Sequence, residues 1–575
     1  MLDHSTWTYL EIRAVIILLQ YTPLLEALLV GTLLAVRTTS SNPGGLLTYT
    51  IYGLAALLVL ELVFYVTYHR PHKARLHAIA DNPPPLSRED RAALWARCSA
   101  NVLDWEHYLR MWFLDADMAE IKRDNVREFL LWAFFDRDSA HLHGGAGPTT
   151  PLLAAAPPTA ADKDLELEVQ SYVDKVETLL GRPIPPGRGS ACAFRLTIDD
   201  VEIRYRSVVW YAIVSLVDFI THSYLAYVEG YSYYRHSPGP APSTTTTTTT
   251  TNPTEPPHKS PLTVFPPRVQ QALTHPFLPA RRLHSASTEM GYWYRPHRST
   301  TRLPVVFIHG IGIGLWPYTK FLGELDAATA TDDDQVGVIA LEVLSMSMRL
   351  TAPPLSQHDF VAHVTTILAQ HGAAWDRFVL VSHSYGSVLT THMLKAPAMA
   401  PRVRAVVLVD PVSVLLHLPD VAFNFTRRAP RTANEWQLWY FASMDMGVAE
   451  GLGRHFFWRE NIIWKDELLT GGRKVVACLS GRDLIVDTQS VGRYLACEGD
   501  LKDERDKDRQ AVIDETFDSR PGDVAATWRR CVGQDGLEVL WFPKLDHAQV
   551  FDSREHRRLV IDAILRCCQD GDSAS

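Results

Sequence analysis

The sequence is poor in cysteine and carries no excess of positive charge, and both absences exclude classes of protein. Its seven cysteines are odd in number and show neither paired nor zinc-like spacing, which argues against a disulfide framework and a structural zinc site. We therefore expect reduced thiols in a protein that faces the cytosol. A formal net charge of -9 offers no basic surface for nucleic acid. With 46% hydrophobic and 21% charged residues, the chain is neither wholly disordered nor collagen-like.

Two long apolar runs near the amino terminus depart from this ordinary composition. Residues 14–36 and 46–68 are each 23 residues long, slightly more than the roughly 20 that cross a bilayer as a helix. An ionised Glu26 near the middle of the first run opposes insertion by about 2.5 to 3.5 kcal/mol, but the Leu, Ile and Val residues of that run outweigh it. We expect two transmembrane helices in a hairpin domain over 1–75. A buried or interfacial helical hairpin is the alternative.

The charges around these runs predict the orientation of the hairpin. The connecting loop at 37–45 holds a single Arg, whereas Arg70, Lys73, Arg75 and two histidines follow the second run. The positive-inside tendency therefore places the amino terminus and the chain after the second span in the cytoplasm. Because the amino terminus lacks the basic cluster of a signal peptide, we expect the hairpin to remain attached.

Composition divides the middle of the chain into a helical region and a linker. We expect the helical region over 76–235, with a low-complexity insertion at 137–163 that is rich in Ala, Gly, Pro and His. A Pro- and Thr-rich linker over 236–266 includes eight consecutive threonines. Neither low-complexity segment buries enough apolar surface to order itself.

Helix boundaries are visible inside the helical region. Ser87 with Asp90, and Asn125 with Glu128, each resemble a capping box that begins a helix. Residues 164–180 place apolar side chains on one face of a helix that ends at a glycine.

The run at 208–228 is apolar enough to suggest a third span, but Asp218 and His222 lie near its centre. We favour a buried or membrane-surface helix, because ionisable residues are expensive at the middle of a bilayer. A third crossing would place the carboxy-terminal half on the other side of the membrane. The topology of the whole protein therefore depends on this segment.

From about residue 300, apolar β-branched runs alternate with helix-like segments. This alternation is typical of a mainly parallel α/β sheet, and we assign residues 267–575 to one such domain. The predicted strands are Val305 to Ile308, Val336 to Leu341, Phe378 to Val381, Ala405 to Val409, Lys474 to Leu479 and Leu537 to Phe542.

The segment Ser382-His383-Ser384-Tyr385-Gly386 follows the third of these strands. A sharp strand-to-helix turn exposes a serine hydroxyl to a neighbouring base, and such a turn demands small residues two before and two after the serine. The segment resembles the nucleophile elbow of the α/β-hydrolase superfamily, with Ser382 in place of the first glycine. A strand with His-Gly at 305–314, an acid-loop sequence at 479–487 and a histidine-loop sequence at 541–551 follow the order of that superfamily.

This resemblance implies a serine hydrolase that needs neither a metal nor a cofactor. Ser384 would be the nucleophile, His547 the base that takes its proton, and Asp483 the acid that orients the histidine. The backbone N–H groups of Ile311 and Tyr385 would stabilise the oxyanion.

Two other acids compete for the role of Asp483. Asp487 lies in the same loop, and Asp410 follows the preceding strand, where some members of the superfamily keep their acid. We prefer Asp483, because Gly481-Arg482-Asp483 and the apolar residues after it match the usual loop best. His309 and His383 are close to the predicted site in sequence, and we expect both to be structural.

The residues between Asp410 and Lys474 correspond to the superfamily's cap, which we place at about 411–472. They hold ten aromatic residues, which either line an apolar pocket or form the core of the insertion itself. The ten are Phe423, Phe425, Trp436, Trp439, Tyr440, Phe441, Phe456, Phe457, Trp458 and Trp464.

As a whole, the chain resembles membrane-anchored α/β hydrolases of the fungal type, with an extended helical region ahead of the catalytic domain. We expect a hydrophobic, lipid-like carboxylic ester as the substrate and the membrane bilayer as the partner. The alternatives are an acyltransferase that uses the same acyl-enzyme and a non-catalytic, membrane-tethered binding scaffold with a hydrolase fold. The presence of all three triad residues favours catalysis.

Overall fold

A computed structural model gives the fold of most of the chain. It describes residues 5–39, 45–78, 80, 82–137, 160–236, 282–329, 334–497, 529–532 and 536–569. The bulk of the low-complexity insertion, the Thr-rich linker and the acidic segment at 498–523 lie outside the described residues.

Helices make up nearly all of the regular structure before residue 230 and then alternate with strands. The α-helices of the described residues are α1 (Thr6–Gln20), α2 (Thr22–Thr39), α3 (Gly45–Phe64), α4 (Arg70–Leu76), α5 (Arg88–Ala100), α6 (Trp105–Trp112), α7 (Arg123–Phe135), α8 (Ala160–Leu180), α9 (Val208–Ser223), α10 (Thr319–Thr329), α11 (Gln357–Gln370), α12 (Gly386–Lys395), α13 (Pro419–Thr426), α14 (Ala433–Gln437), α15 (Met446–Arg454), α16 (Trp458–Asn461), α17 (Lys465–Leu469), α18 (Thr488–Ala496) and α19 (Arg554–Cys568).

One mainly parallel sheet organises the carboxy-terminal half. Its strands are β1 (Ser232–Arg235), β2 (Arg282–His284), β3 (Tyr292–Arg295), β4 (Val305–Ile308), β5 (Val338–Leu341), β6 (Phe378–His383), β7 (Val403–Val409), β8 (Lys474–Ser480), β9 (Arg529–Val532) and β10 (Leu537–Phe542). They lie in the order β2-β1-β3-β5-β4-β6-β7-β8-β10-β9. The run from β5 to β10 is parallel throughout, and this confirms the predicted α/β class.

The six predicted strands are the parallel core of this sheet. Each is a continuous apolar run because both faces of the sheet are covered: Val306 and Ile308 pack into one apolar cluster, and Val305 and Phe307 into the other. The sequence pattern did not predict β1, β2, β3 or β9. These strands have three or four residues, mix apolar with polar or charged side chains and lie towards the edges of the sheet, so they show neither a period nor a continuous apolar run.

The strand β1 changes the predicted division of the chain. It pairs with β2 in parallel and with β3 in antiparallel orientation. The predicted boundary between residues 235 and 236 therefore cuts through the hydrolase sheet, which takes its first strand from the segment that directly follows α9.

The amino-terminal helices differ in detail from the predicted pair. The run at 14–36 is divided at Tyr21 between α1 and α2, since Pro23 has no N–H to continue the helical ladder. Among the residues that the structure describes, three segments are long and apolar enough to cross a membrane: Thr22–Thr39, Gly45–Leu76 and Val208–Val228. The first of them begins eight residues later than predicted.

This later start moves Glu26 from the centre of a span towards its end. Its carboxyl interacts electrostatically with that of Glu61 in α3. Glu61 in turn accepts hydrogen bonds from the hydroxyl of Tyr205 and from the N–H of Val208, at 2.8 Å for the latter. Both acids therefore lie at the end of the α2–α3 hairpin that contacts the rest of the protein, where Glu61 has polar partners.

The helix α9 packs lengthwise against the hydrolase domain. Trp210, Val214 and His222 are buried along it, and Asp218 forms a bidentate ion pair with the buried guanidinium of Arg349. The opposite face is apolar and exposed. Its exposed side chains include Ile213, Leu216, Phe219 and Ile220.

The helical region forms a separate apolar core from α5 to α8. The predicted cap at Ser87 is present, with its hydroxyl accepting the N–H of Asp90 at 3.1 Å. Asn125, by contrast, does not begin a helix, because α7 already starts at Arg123. The Asn125 side chain accepts the N–H of Lys122 at 3.0 Å and donates to the carbonyl of Ala191 at 2.8 Å.

The predicted cap is a helical insertion between β7 and β8. It runs from α13 to α17 and includes a π-helical segment, Leu438–Ser443. It lies over the carboxyl ends of the central strands, where the predicted site residues are found.

Candidate active site

Ser384 lies on the sharp turn between β6 and α12. Its φ of 52° is in the left-handed region, and its N–H donates to the carbonyl of Val409 at 2.9 Å. The turn is possible because two residues packed closely against it are glycines. A Cβ at Gly386 would lie 2.5 Å from the carbonyl oxygen of Ile308, and a Cβ at Gly310 would lie 2.8 Å from the Cβ of Ser384. This is the geometry expected of a nucleophile elbow.

Ser382 replaces the first glycine of the elbow without leaving an unpaired hydroxyl. Its side chain is fully buried, and its Oγ accepts a hydrogen bond from the hydroxyl of Thr390 in α12 at 2.9 Å. The substitution is therefore accommodated by a partner one helix turn inside the following helix.

The ring of His547 connects Ser384 to Asp483. It lies in the loop after β10, with Nε2 at 2.9 Å from the Oγ of Ser384 and Nδ1 at 2.7 Å from the Oδ2 of Asp483. A carboxylate at Nδ1 favours the tautomer that carries its proton there, so that Nε2 is free to accept the proton of the serine hydroxyl.

Asp483 is held rigidly by the loop that follows β8. Its side chain is 0% exposed, and its Oδ1 accepts the N–H groups of Ile485 at 2.7 Å and Val486 at 2.9 Å. The other oxygen is thereby aimed at His547.

The two rival acids have different partners. Asp487 caps α18, and its carboxylate accepts the N–H of Ser490 at 3.1 Å. Asp410 is buried behind the His547 loop and accepts the N–H groups of Ser480 and Ala548, each at 2.9 Å. Asp410 therefore ties the end of β8 to the loop that carries the histidine, and neither rival hydrogen bonds to the imidazole ring.

The pKa values of this cluster are set by burial and by three carboxylates. Burial alone lowers the pKa of His547, but the charge and hydrogen bond of Asp483, together with the charges of Asp410 and Asp546, outweigh it and raise the pKa to about 9. Burial, aided by the charge of Asp483, raises the pKa of Asp410 to about 7. The base is thus strongly stabilised in its protonated form.

Asp546 is a buried residue of the site that the sequence analysis did not single out. Its Oδ1 accepts the N–H of His547 at 2.7 Å and that of Leu484 at 2.9 Å. Its Oδ2 accepts the side-chain amide of Asn434, in the cap helix α14, at 3.1 Å. The position of Asp546 directly before the histidine was its one signal in the sequence, and the contact with Asn434 had none.

Ile311 and Tyr385, whose backbone N–H groups the sequence analysis predicts as oxyanion donors, lie at the same pocket as Ser384. Neither of these N–H groups donates a hydrogen bond to another residue that the structure describes. Two amides without an acceptor beside a serine hydroxyl could receive a developing oxyanion.

His309 and His383 occupy structural positions. His309 donates from Nδ1 to the carbonyl of Gly310 at 2.8 Å and accepts the N–H of Val343 at Nε2, and burial lowers its pKa to about 4. The Nδ1 of His383 is 2.7 Å from the hydroxyl of Tyr318. Both rings shape the loops around Ser384.

A largely apolar pocket of about 810 Å³, counted with its open mouth, lies at Ser384. It is lined by Trp112, Trp132, Asp136, Leu196, Thr197, Ile311, Ser384, Tyr385, Val412, Leu416, Val421, Ala422, Phe425, Thr426, Leu452, Phe456, Phe457, Trp458 and Ile485. Four of the ten cap aromatics belong to this lining. Others pack within the cap, such as Trp436 against Trp439 and Tyr440 against Phe441, so the cap aromatics serve both alternatives that the sequence left open.

Asp410, Asp483 and His547 could also be considered as metal ligands, since their polar atoms lie within 4.8 Å of one another. Their carboxylate oxygens already accept N–H groups of the loops, and the ring nitrogens of His547 face Asp483 and Ser384. These partners favour a proton relay over a metal site.

Comparison with known proteins agrees with this geometry. Residues 305–559 match a family model described as the alpha/beta hydrolase family. No curated protein matches the chain.

Several solved structures are similar in part. A carboxylesterase structure from the thaumarchaeon Nitrososphaera gargenis is 15% identical and covers 49% of this chain and 97% of its own, with a TM-score of 0.30. The carboxylesterase CesB from Bacillus subtilis is 11% identical and covers 48% and 87%, with a TM-score of 0.27. A membrane phospholipase A described as a bacterial virulence factor is 13% identical and covers 48% and 83%, with a TM-score of 0.28. At TM-scores this low, these structures carry no argument about the substrate.

Proposed function

Since the carboxy-terminal half of the chain is a domain of the α/β-hydrolase superfamily, we propose that the protein is a membrane-anchored serine hydrolase that cleaves a hydrophobic carboxylic ester through an acyl-enzyme. The observation that carries the proposal is the continuous contact from Asp483 through His547 to Ser384, at 2.7 and 2.9 Å. A buried relay of this kind activates a serine hydroxyl.

In the proposed reaction, Ser384 attacks the carbonyl carbon of the ester as the Nε2 of His547 takes the hydroxyl proton. The imidazolium that forms is stabilised by Asp483 and then donates the proton to the departing alcohol, which leaves an acyl group on the Oγ of Ser384. Water enters next, gives a proton to His547 and releases the carboxylic acid, with the proton returned to Ser384. Every step uses groups that lie within hydrogen-bonding distance of one another.

The N–H groups of Ile311 and Tyr385 act in this proposal on the negative oxygen of the tetrahedral intermediate. Their lack of acceptors among the described residues supports this role. Each such donor contributes about 2.7 to 4 kcal/mol to transition-state stabilisation in comparable sites.

Two features support a hydrophobic substrate at a membrane. The pocket at Ser384 is predominantly lined by aliphatic and aromatic side chains, which favour an apolar ligand. The helices α2 and α3 pack against each other and expose apolar side chains over most of their outer surface, as expected of a bilayer-spanning hairpin.

We further propose that this hairpin provides the two membrane crossings and that α9 does not cross. The helix α9 is buried on one side from Trp210 to His222, and Asp218 on that side pairs with Arg349 of the hydrolase domain. A helix packed along its length on a domain of this kind cannot also be surrounded by lipid. Its exposed apolar face then lies against the membrane surface, and the catalytic domain remains in the cytosol.

Substitution of the nucleophile tests the proposal. Ser384→Ala removes the hydroxyl alone, so we expect the purified full-length protein to lose labelling by a fluorophosphonate probe and its ester hydrolysis to fall by several orders of magnitude. The melting temperature should be nearly unchanged. Ser382→Ala is the matched control, because Ser382 hydrogen bonds to Thr390 rather than to His547.

The control should keep its labelling. Labelling that persists in Ser384→Ala would refute the proposed nucleophile. A wild-type protein that neither reacts with the probe nor cleaves any ester would instead support a non-catalytic scaffold.

A further inference from the structure

The pocket at Ser384 receives walls from three parts of the chain. The hydrolase domain supplies Ile311, Ser384 and Tyr385, and the cap supplies residues of α13 and the segment around α15 and α16. The third wall comes from the helical region, which lies more than a hundred residues earlier in the sequence. Its lining residues are Trp112, Trp132, Asp136, Leu196 and Thr197.

The two tryptophans of this wall are held in fixed positions. The indole N–H of Trp132 donates to the hydroxyl of Thr197 at 2.9 Å, and the ring of Trp112 stacks on Phe194 with 4.8 Å between centroids. The two indoles contact each other at 5.6 Å. Because large rigid rings border the cavity here, this wall limits the space available to the apolar chain of a bound ester.

The helical region is joined to the cap by polar contacts that position the wall. The indole N–H of Trp458 donates to the carbonyl of Ala133 at 2.9 Å, and Arg459 forms an ion pair with Asp136. The guanidinium of Arg454 donates to the carbonyls of Leu76, Leu196 and Asp199. The end of α4, the helical region and the cap therefore meet at α15 and α16.

The wall is also electrically neutral where it faces the cavity. Asp136 is the one acid among the described residues of the lining, and the charge of Arg459 compensates it. The pocket surface is largely apolar, and the polar N–H of Trp132 is occupied by the hydroxyl of Thr197. An alkyl or aryl chain fits these properties, and a charged headgroup does not.

We propose that the helical region is part of the substrate-binding site and that Trp112, Trp132 and Leu196 select esters by the size of their apolar chain. This inference rests on the proposed esterase function and adds to it a specificity-determining role for a segment outside the hydrolase domain and its cap. The apolar chain belongs either to the acyl group or to the alcohol of the ester, and two substrate series distinguish these sources.

The test measures kcat/KM of the detergent-solubilised full-length protein on p-nitrophenyl esters from acetyl to palmitoyl, and on acetate esters of alcohols of increasing length. Trp132→Leu and Trp112→Leu enlarge the pocket, and Leu196→Trp narrows it at a half-buried position of the lining. We expect the ratio of long-chain to short-chain kcat/KM to rise about tenfold in the first two variants and to fall about tenfold in the third, in one of the two series.

Trp105→Leu is the matched control. Trp105 is a tryptophan of the same apolar core, is 7% exposed and does not line the pocket. Its substitution should lower the melting temperature as much as Trp132→Leu does but leave the chain-length ratio unchanged. Fluorophosphonate labelling of Ser384 in each variant reports whether the catalytic site is intact.

Labelled variants whose ratio equals that of the wild-type protein in both series would overturn the inference while leaving the esterase proposal in place. A ratio that shifts equally in Trp105→Leu would also overturn it, because the effect would then come from loss of stability. If the tryptophan variants fail to fold, Leu196→Trp decides alone. Absence of labelling and hydrolysis in the wild-type protein would instead refute the proposed function.

Discussion

At the scale of single residues, three aspartates follow strands of one sheet, but they differ in what their carboxylates contact. Asp483 lies 2.7 Å from the Nδ1 of His547, whereas Asp487 caps a helix and Asp410 binds backbone N–H groups. We expect Asp483→Asn to lower kcat by about 10⁴-fold, because the amide no longer holds the productive tautomer. Steady-state kinetics on a soluble ester measures the loss.

Asp487→Asn is the control for this prediction and should retain kcat close to that of the wild-type protein. Asp410→Asn should cost much less than Asp483→Asn, since an amide oxygen can still accept one of the N–H groups that Asp410 now receives. If Asp410→Asn were the more damaging change, the acid of the triad would be Asp410.

The raised pKa of His547 predicts the pH dependence of the reaction. Only the neutral imidazole can accept the proton of Ser384. Activity is therefore highest above the pKa of His547 and is lost as the pH falls through that pKa. Because that pKa is raised from 6.5 to about 9, kcat/KM should still be rising above neutral pH. A plot of kcat/KM against pH measures the midpoint.

Asp410→Asn should move this midpoint to lower pH. The pKa of Asp410 is raised to about 7, so its carboxyl is ionised in the range where His547 titrates, and its negative charge helps to hold the proton on the ring. Removing that charge lowers the pKa of the base. A midpoint that stays in place would show that Asp410 has no electrostatic influence on His547.

The sequence predicted Ser384, His547 and Asp483 as partners because each follows a recognisable strand and the three occur in the order of a known superfamily. It left Asp410 and Asp487 open, since all three acids also lie near strand ends and only distances separate them. Asp546 escaped notice because its function depends on a contact with Asn434, more than a hundred residues away. Pairings of this kind depend on tertiary packing and leave no local pattern.

At the scale of elements, the cap helix α14 contacts both the amino-terminal helix α1 and the loop that carries His547. On one side, the guanidinium of Arg13 in α1 lies 3.6 Å from the centre of the Trp436 ring. On the other, Asn434 donates to Asp546, whose carboxylate also accepts the N–H of His547. This short helix therefore supports the His547 loop from the side of α1.

We expect Asn434→Ala to lower kcat by about tenfold with little change in KM. The change leaves the buried Oδ2 of Asp546 without its cap partner and loosens the loop of the base, at a cost of about 1 to 2 kcal/mol. The pH midpoint of kcat/KM should shift with it, because Asp546 raises the pKa of His547. Kinetics and melting curves measured together separate this effect from general destabilisation.

Gln437→Ala on the same helix serves as the control and should leave kcat and the pH midpoint unchanged. Equal losses in both variants would mean that α14 contributes only to the stability of the cap.

The fold of the central strands could be predicted within a few residues, as at Val305–Ile308, because these strands are buried on both faces. Pro23 is a local signal of the break at Tyr21, but the apolar composition on both sides of it predicts one continuous span. The edge strand β1 has no local signal, since composition does not show where a four-residue strand docks.

At the scale of the whole molecule, the proposed membrane hairpin packs against the cap of the hydrolase domain. The carboxy-terminal part of the α3–α4 stem contacts the cap through His72, whose Nε2 lies 2.9 Å from the carboxylate of Glu450. Arg454 binds the carbonyl of Leu76 at the end of the same stem. If α2 and α3 cross the membrane as we propose, these contacts hold the hydrolase domain close to the bilayer, and the orientation of the hairpin fixes the side of the membrane on which the domain lies.

We expect the catalytic domain to be cytosolic, and protease protection in sealed membrane vesicles tests this. If α2 and α3 cross and α9 does not, protease added outside vesicles that expose the cytosolic face should digest the hydrolase domain, while a lumenal marker protein stays intact. The sequon Asn424-Phe425-Thr426 should carry no glycan, because the glycosylation machinery acts in the lumen. The glycan result alone is the weaker one, since the Asn424 amide donates to the carbonyl of Ile485 at 3.0 Å in the folded cap and is poorly available. Protection of the domain, or an endoglycosidase shift that Asn424→Gln abolishes, would place the site in the lumen. Either α9 would then be a third crossing, or the hairpin would have the opposite orientation.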